Sequence, residues 1–419
     1  MKKLVLFFSV AAALMAVSCN KNEKGEVLSP DEQKETVVEV CTEAAKQLEL
    51  KNWQSSAVLA SFSVDAFSHA KPSEGVENYA QTLVDKWKKA SLIDLQDVKG
   101  AFSIDGTGVI TRNNANDLTL SYVAYDSFEA EAKPVACVAT VSVKNSGNKI
   151  VVFKAEEETD AITKEEQPKD GMLAVPSSVN FNIKADGKQE FALGVNDIKI
   201  GGLNNGVPGI DGTYSFTAAL TAGQYKLAVT KAKYSTKEVG LGINFSNNGK
   251  SIIKASFSAT GNLPVEEGDP IFKELTGKAN ASISLLDQVS LKGNLDYTGI
   301  KGLEEKYGEN FKPKTVEEAQ AFLDEILKYV NLGVYMKNAC QGKLTFVVSE
   351  VAAPAGSVDN TIKVNPAIKF TDGSETMLAE DYGYSLLGEI MSSDYILGVV
   401  AEISQFIEQL KSYSGEEGE

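Results

Sequence analysis

From Leu118 to Tyr297 apolar and polar residues alternate with a period of two, and turn residues break the pattern at short intervals. Leu118, Leu120 and Tyr122 alternate with Thr119 and Ser121, and Val135, Cys137, Ala139, Val141 and Val143 resume the pattern after a break. Successive side chains of a strand point to opposite sheet faces, so this period builds strands with one buried and one wet face. Asn145-Ser146-Gly147-Asn148 is expected to turn the chain into Ile150–Phe153. Asp186-Gly187 sits between Val179-Phe181-Ile183 and Phe191-Leu193-Val195, a two-residue hairpin signal. Gly223 separates Tyr214-Phe216-Ala218-Leu220 from Tyr225-Leu227-Val229. Asn247-Asn248-Gly249 separates Val239-Leu241-Ile243-Phe245 from Ile253-Ala255-Phe257-Ala259, and Val289-Leu291-Gly293-Leu295-Tyr297 closes the series. Loops this short join antiparallel neighbours. So many strands in series must twist, and the sheet curls or splits into two layers. Gly194, Gly240, Gly242 and Gly293 inside strands mark bends or close backbone approach.

Both ends are helical. Ser29-Pro30-Asp31-Glu32 combines a cap, a first-turn proline and a capping-box glutamate, and Val37, Val38, Cys41, Ala44, Ala45 and Leu48 follow at helical spacing. Further helices are predicted near Ser55–Ser68 and over Glu74–Lys89, and Thr315 with Glu318 opens another. Leu344-Phe346-Val348 and Ile362–Phe370 return to strand, and Leu397, Val400, Ile403, Ile407 and Leu410 share one side of a closing helix. The fold class is α+β: a curved antiparallel β-meander (half-barrel or two-layer sheet) with N-terminal and C-terminal helices. The expected organisation is a signal peptide over 1–18, a lipidated tether over 19–29 and a helical region over 30–92. An antiparallel β region over 93–300 follows, then a helix, returning strands and closing helices over 301–412. The acidic stretch Ala155–Gly171 suits either a linker or a long loop within one sheet.

The N-terminus is an address. Lys2 and Lys3 precede Leu4–Val17, in which only Ser9 is polar, and the run is too short to span a bilayer. Ala16-Val17-Ser18-Cys19 resembles a bacterial lipobox. That resemblance implies cleavage before Cys19 and acylation of its thiol and new amine. Two or more acyl chains anchor a protein stably, so the expected location is the outer membrane, with the lipid bilayer itself as partner through Cys19. Which leaflet the domain faces stays open.

Composition narrows the function. The net charge is -16, and loss of Lys2 and Lys3 makes the mature chain -18. So acidic a chain repels phosphate backbones, so no nucleic-acid partner is expected. Arg112 is the sole arginine and His69 the sole histidine. Forks for phosphate or carboxylate, and imidazoles for proton transfer or metal, are thus nearly absent. No cofactor, no metal site and no catalytic residue is assigned. Cys41, Cys137 and Cys340 remain after lipidation; their spacing fits no metal or C-x-x-C motif, and they read as small buried hydrophobes, with one disulfide the alternative.

The remaining candidates read as structure rather than chemistry. Glu156, Glu157, Glu158 and Asp160 lack the spaced ligands and glycine turn of a calcium loop. Gly201–Gly212 is glycine-rich but lacks the strand–turn–helix setting of a phosphate cradle. His69 suits a helix C-terminus, and Trp53 and Trp87 lie on helices as core residues.

Four segments carry a wider resemblance: Asn116–Tyr122, Lys231–Leu263, Val289–Tyr297 and Pro366–Tyr382. With the lipobox they resemble a group of uncharacterised lipoproteins of Bacteroides-type bacteria, in which hairpin-rich strands precede closing helices. The resemblance implies the envelope location and brings no activity and no catalytic residue. The expected function is a non-enzymatic envelope binding protein for an apolar ligand, a glycan or a protein. The alternatives are a structural or assembly partner of a surface complex and a carboxylate-based hydrolase.

Overall fold

The computed structural model describes residues 25–129, 131–153, 171–204, 207–262, 276–308, 311–351 and 361–413. The signal peptide, Cys19 and the Glu156–Asp160 acids lie outside the described residues. The helical start comprises α1 (Pro30–Gln47), α2 (Gln54–His69), β1 (Lys71–Pro72), α3 (Glu74–Ala90) and β2 (Leu92–Ile93). The strands then run β3 (Gly100–Ile104), β4 (Val109–Asn113), β5 (Leu118–Tyr125), β6 (Pro134–Phe153), β7 (Gly171–Ala185), β8 (Lys188–Asn204), β9 (Val207–Ala222) and β10 (Tyr225–Ser235). They continue as β11 (Glu238–Asn247), β12 (Lys250–Asn262), β13 (Thr276–Leu285) and β14 (Val289–Asp296). After α4 (Tyr297–Tyr307) and α5 (Val316–Ile326) come β15 (Val330–Met336), β16 (Ala339–Val351), β17 (Thr361–Phe370) and β18 (Met377–Leu378), then α6 (Ala379–Met391) and α7 (Asp394–Tyr413). The fold is α+β, with mostly antiparallel strand pairing and helices at both ends of the chain.

Packing divides the chain into two units. One takes Met1–Glu49 and Thr236–Glu402, the other Leu50–Ser235 and Ile403–Glu419.

In the first unit β11 to β18 pair in sequence order, every pair antiparallel. Asn248 (φ 46°) and Gly249 (φ 78°) make the β11–β12 turn, whose two left-handed residues match strand twist as the sequence predicts. Gly261 faces Gly277 across β12 and β13. A Cβ on Gly261 would lie 1.7 Å from the Thr276 carbonyl oxygen, so the two backbones approach here as only glycine permits. One side of the sheet carries two apolar clusters. Leu28, Val37, Val334, Met336, Ile368, Phe370 and Tyr382 join α1 and α6 to the sheet. Leu295, Leu303, Phe322, Leu323, Ile326, Val330 and Phe346 seat α4 and α5. The Ser29–Glu32 capping box forms at the start of α1.

The second unit has the order β1-β4-β3-β5-β6-β7-β8-β9-β10. It is mixed rather than a simple meander. The β3–β4 hairpin lets β5 return beside β3 in parallel, and β1 and β2 make short parallel pairs with β4 and β7. Two-residue strands carry too little pattern to announce such pairings in a sequence. Asp186 (φ 47°) and Gly187 (φ 81°) form the β7–β8 turn, as expected.

Two sequence expectations are corrected. Asn145–Asn148 does not reverse the chain: β6 runs through it as one strand, paired with β7 on both sides of a bulge. Ser146 Oγ donates to the Val175 carbonyl at 2.8 Å and ties the extra residues into the sheet. Tyr297 does not end a strand but begins α4, because Asp296 accepts from the Gly299 N–H at 3.1 Å and caps the helix. The acidic stretch that begins at Ala155 is flanked by β6 and β7, paired through Phe153 and Gly171, so it connects neighbours in one sheet.

Candidate functional site

The expected tether shortens at its body end. Gly25 lies against the Lys337–Ala339 backbone, and Leu28 is 2% exposed. A bulge in the β15–β16 hairpin pairs Tyr335 with Cys340 and Val334 with Gly342, leaving Gln341 over. Its side chain, fully buried, turns inward as a clamp. Gln341 Oε1 accepts from the Leu28 N–H at 2.7 Å, and Nε2 donates to the carbonyls of Glu26 (2.9 Å) and Met336 (2.8 Å). Gln33, equally buried, donates to the Leu28 carbonyl at 3.0 Å and accepts from the Tyr382 hydroxyl at 2.7 Å. Burial pushes the Tyr382 phenol up to about 12, so it stays a donor. Six residues separate Cys19 from this clamp, a reach of about 20 Å when extended.

An open apolar cavity lies in the second unit. Strand register sets its wall. Leu118 pairs with Val141, Val141 with Phe181, Phe181 with Leu193, Leu193 with Leu220 and Leu220 with Leu227. One apolar row thus crosses six strands on a single face. A parallel row adds Phe102, Leu120 and Ala139. α2 lies over β5, where Leu59, Phe62 and Ala66 pack on Tyr122, Cys137 and Ile183. Beside Phe67 this cover stops, and a cavity of about 260 Å³ opens between Phe67, Phe102, Ile110, Leu118, Leu120, Val141 and Phe181, with almost no polar surface in its wall. Phe67 stands edge-on to Tyr122 at 5.1 Å. Farther along the face Leu193 and Leu227 are 42% and 44% exposed.

The titratable groups nearby are structural. Ser63 Oγ donates to the Leu59 carbonyl at 2.6 Å, so the Tyr122 hydroxyl, 2.6 Å away, must donate to Ser63. Burial raises both the Tyr122 phenol and the Cys137 thiol, and a protonated thiol is a poor nucleophile. Arg112 stacks on the Tyr79 ring at 3.6 Å and donates from Nε and Nη2 to the Lys99 carbonyl and from Nη1 to Asn114. The chain's only guanidinium is therefore a strut between β4 and α3, held by three of its five N–H donors.

The other sequence candidates separate. His69 is exposed at the end of α2, with Nδ1 3.0 Å from Asp65 Oδ1. Trp53 packs edge-on against Phe406 at 5.4 Å, and Trp87 Nε1 donates to Asp97 at 3.0 Å. Gly201 lies in β8 and pairs with Thr213 in β9, so the described residues of this stretch belong to those two strands. Cys41 and Cys137 are free thiols, and Cys340 Sγ lies 3.6 Å from the Gly342 carbonyl. Among the described residues no three His, Cys, Asp or Glu side chains gather as a metal site, and no helix is long and apolar enough to cross a membrane. The alternations of β5 and β6 announce half of the apolar wall. Phe67 and Phe102 were missed, because neither stands in a pattern that says which strand it will meet.

No family model, no curated protein and no solved structure matches this chain.

Proposed function

We propose that the chain is an envelope lipoprotein that holds an apolar ligand against the β3–β7 face of its second unit. The supporting observation is the cavity of about 260 Å³ bounded by Phe67, Phe102, Leu118, Leu120, Val141 and Phe181. Apolar surface left open to water costs about 25 cal/mol per Å², so a wall of this kind gains by being covered. A void of about 150 Å³ lined by apolar side chains already admits a benzene-sized guest. The present one suits a ring or a short acyl segment. With almost no polar surface in the wall, orientation is loose and shape selects the guest.

Native mass spectrometry of the chain begun at Asn20 tests this reading. A discrete added mass that disappears on organic extraction is expected. Val141→Trp, which places an indole in the cavity, should reduce ligand occupancy about tenfold or more while thermal unfolding stays within a few degrees. A clean apo mass for the unmodified chain overturns the reading and assigns the exposed row through Leu193 and Leu227 to a protein partner.

The lipid anchor is tested separately. Cys19→Ala should shift the protein from the membrane fraction to the soluble fraction and remove diacylglycerol and amide-linked acyl mass from the N-terminal peptide. A wild-type N-terminal peptide without acyl mass rejects the anchor.

A further inference from the structure

The second unit carries another cavity, of about 620 Å³, lined mostly by polar residues with Ile198 and Ile200 among them. Three adjacent strands lose regular pairing at its level. β6 shifts register between Lys144 and Lys149, β7 pairs Pro176 and Ser178 but not Ser177, and β8 shifts between Asn196 and Lys199. Bulges re-aim side chains and recur beside binding sites. Here Asn148, Ser178, Asn196, Asp197 and Lys199 line one space together with Ile198 and Ile200. Asp197 takes a left-handed φ of 53°, a conformation that a carboxylate residue adopts at a cost.

The side chains are held but keep bonding capacity. Thr217 Oγ1 donates to Asp197 Oδ2 at 3.2 Å, and Asn180 Nδ2 donates to Asn196 Oδ1 at 3.2 Å. An ionised carboxylate has about four acceptor sites and an amide nitrogen two donors, so both can serve a ligand as well. Asn145 Nδ2 donates to Asp94 at 2.9 Å, which fixes the amide and leaves Oδ1 buried with no partner among the described residues.

Charge selects the ligand class. Asp197 and Lys199 balance, which suits neither an anion nor a bare cation. A phosphate or carboxylate site would use arginine forks, and a cation site would gather acids. Amides, hydroxyls and a carboxylate side by side match groups that both give and take hydrogen bonds. We propose that this cavity binds a neutral polyhydroxylated ligand, a saccharide. The proposal does not depend on the apolar cavity, which shares no lining residue with it.

The test is titration calorimetry of the full chain with maltohexaose, cellohexaose, xylohexaose and mannohexaose. At least one should bind. Asp197→Gly, which relieves the left-handed backbone, combined with Asn148→Ala should weaken that binding about tenfold or more without lowering the melting temperature. Should that pair destabilise the fold, Lys199→Ala, an exposed wall residue, is read in its place and should weaken binding severalfold. Val141→Trp should leave saccharide affinity unchanged, which separates this site from the apolar one. Absence of binding by all four at millimolar concentration overturns the proposal, as does an affinity indifferent to these wall variants.

Discussion

Gln341→Ala is expected to destabilise the first unit by about 4 kcal/mol. The substitution deletes a fully buried amide whose oxygen serves the Leu28 N–H and whose nitrogen serves the carbonyls of Glu26 and Met336. Each buried backbone group left without a partner costs about 1–3 kcal/mol, and the Glu26 carbonyl, at an exposed residue, recovers part of that from water. Urea unfolding should show the midpoint fall with little change in slope. Amide hydrogen exchange supplies the local reading. The Leu28 N–H should lose protection well beyond what the global loss of stability accounts for, because its acceptor is gone. Uniform loss of protection across the unit would show that the clamp is not a local strap. If Cys19 is acylated, a released strap also lengthens the path from the lipid to the folded body.

Phe322→Ala is expected to cost about 3–5 kcal/mol. Phe322 is 6% exposed and meets Tyr307 edge-on at 5.0 Å and Phe311 at 4.9 Å. Tyr307 and Phe311 also touch each other at 4.9 Å, so one side chain closes a three-ring cluster between α4 and α5. Truncation removes transfer energy, leaves a cavity and breaks two aromatic pairs worth about 0.5–1.5 kcal/mol each. Phe322→Leu should lose less than half as much, since it keeps most of the volume. Urea midpoints for the two variants check the order. Equal losses would mean that ring geometry, not volume, holds α5 in place.

The two cavities were less legible in the sequence than the fold was. The period of two from Leu118 to Val141 announces strands with one apolar face, and β5 and β6 carry it in the apolar cavity. The cavity itself depends on where α2 stops covering that face, which is decided by Phe67 meeting Tyr122 across more than fifty residues of chain. The polar cavity was hidden for another reason. Asn145-Ser146-Gly147-Asn148 has turn chemistry, and turn and bulge use the same residues. Only the continued pairing of β6 with β7 beyond it tells the two apart. Gln341 was likewise silent, because nothing local marks the residue that a bulge will leave over.

Local rules account for what the sequence determined alone: the strand-rich middle, the capping box at Ser29, the helix cap at Thr315, and the left-handed turns at Asp186-Gly187 and Asn248-Gly249. Alternation, cap and turn signals each act within a few residues, so a single chain states them outright. Tertiary structure decided the parallel return of β5 beside β3, the division into two units, the clamp on Leu28 and the two cavities. Each of these joins residues distant in sequence, and the energy that selects the pairing is the burial of whole faces, which no local pattern encodes.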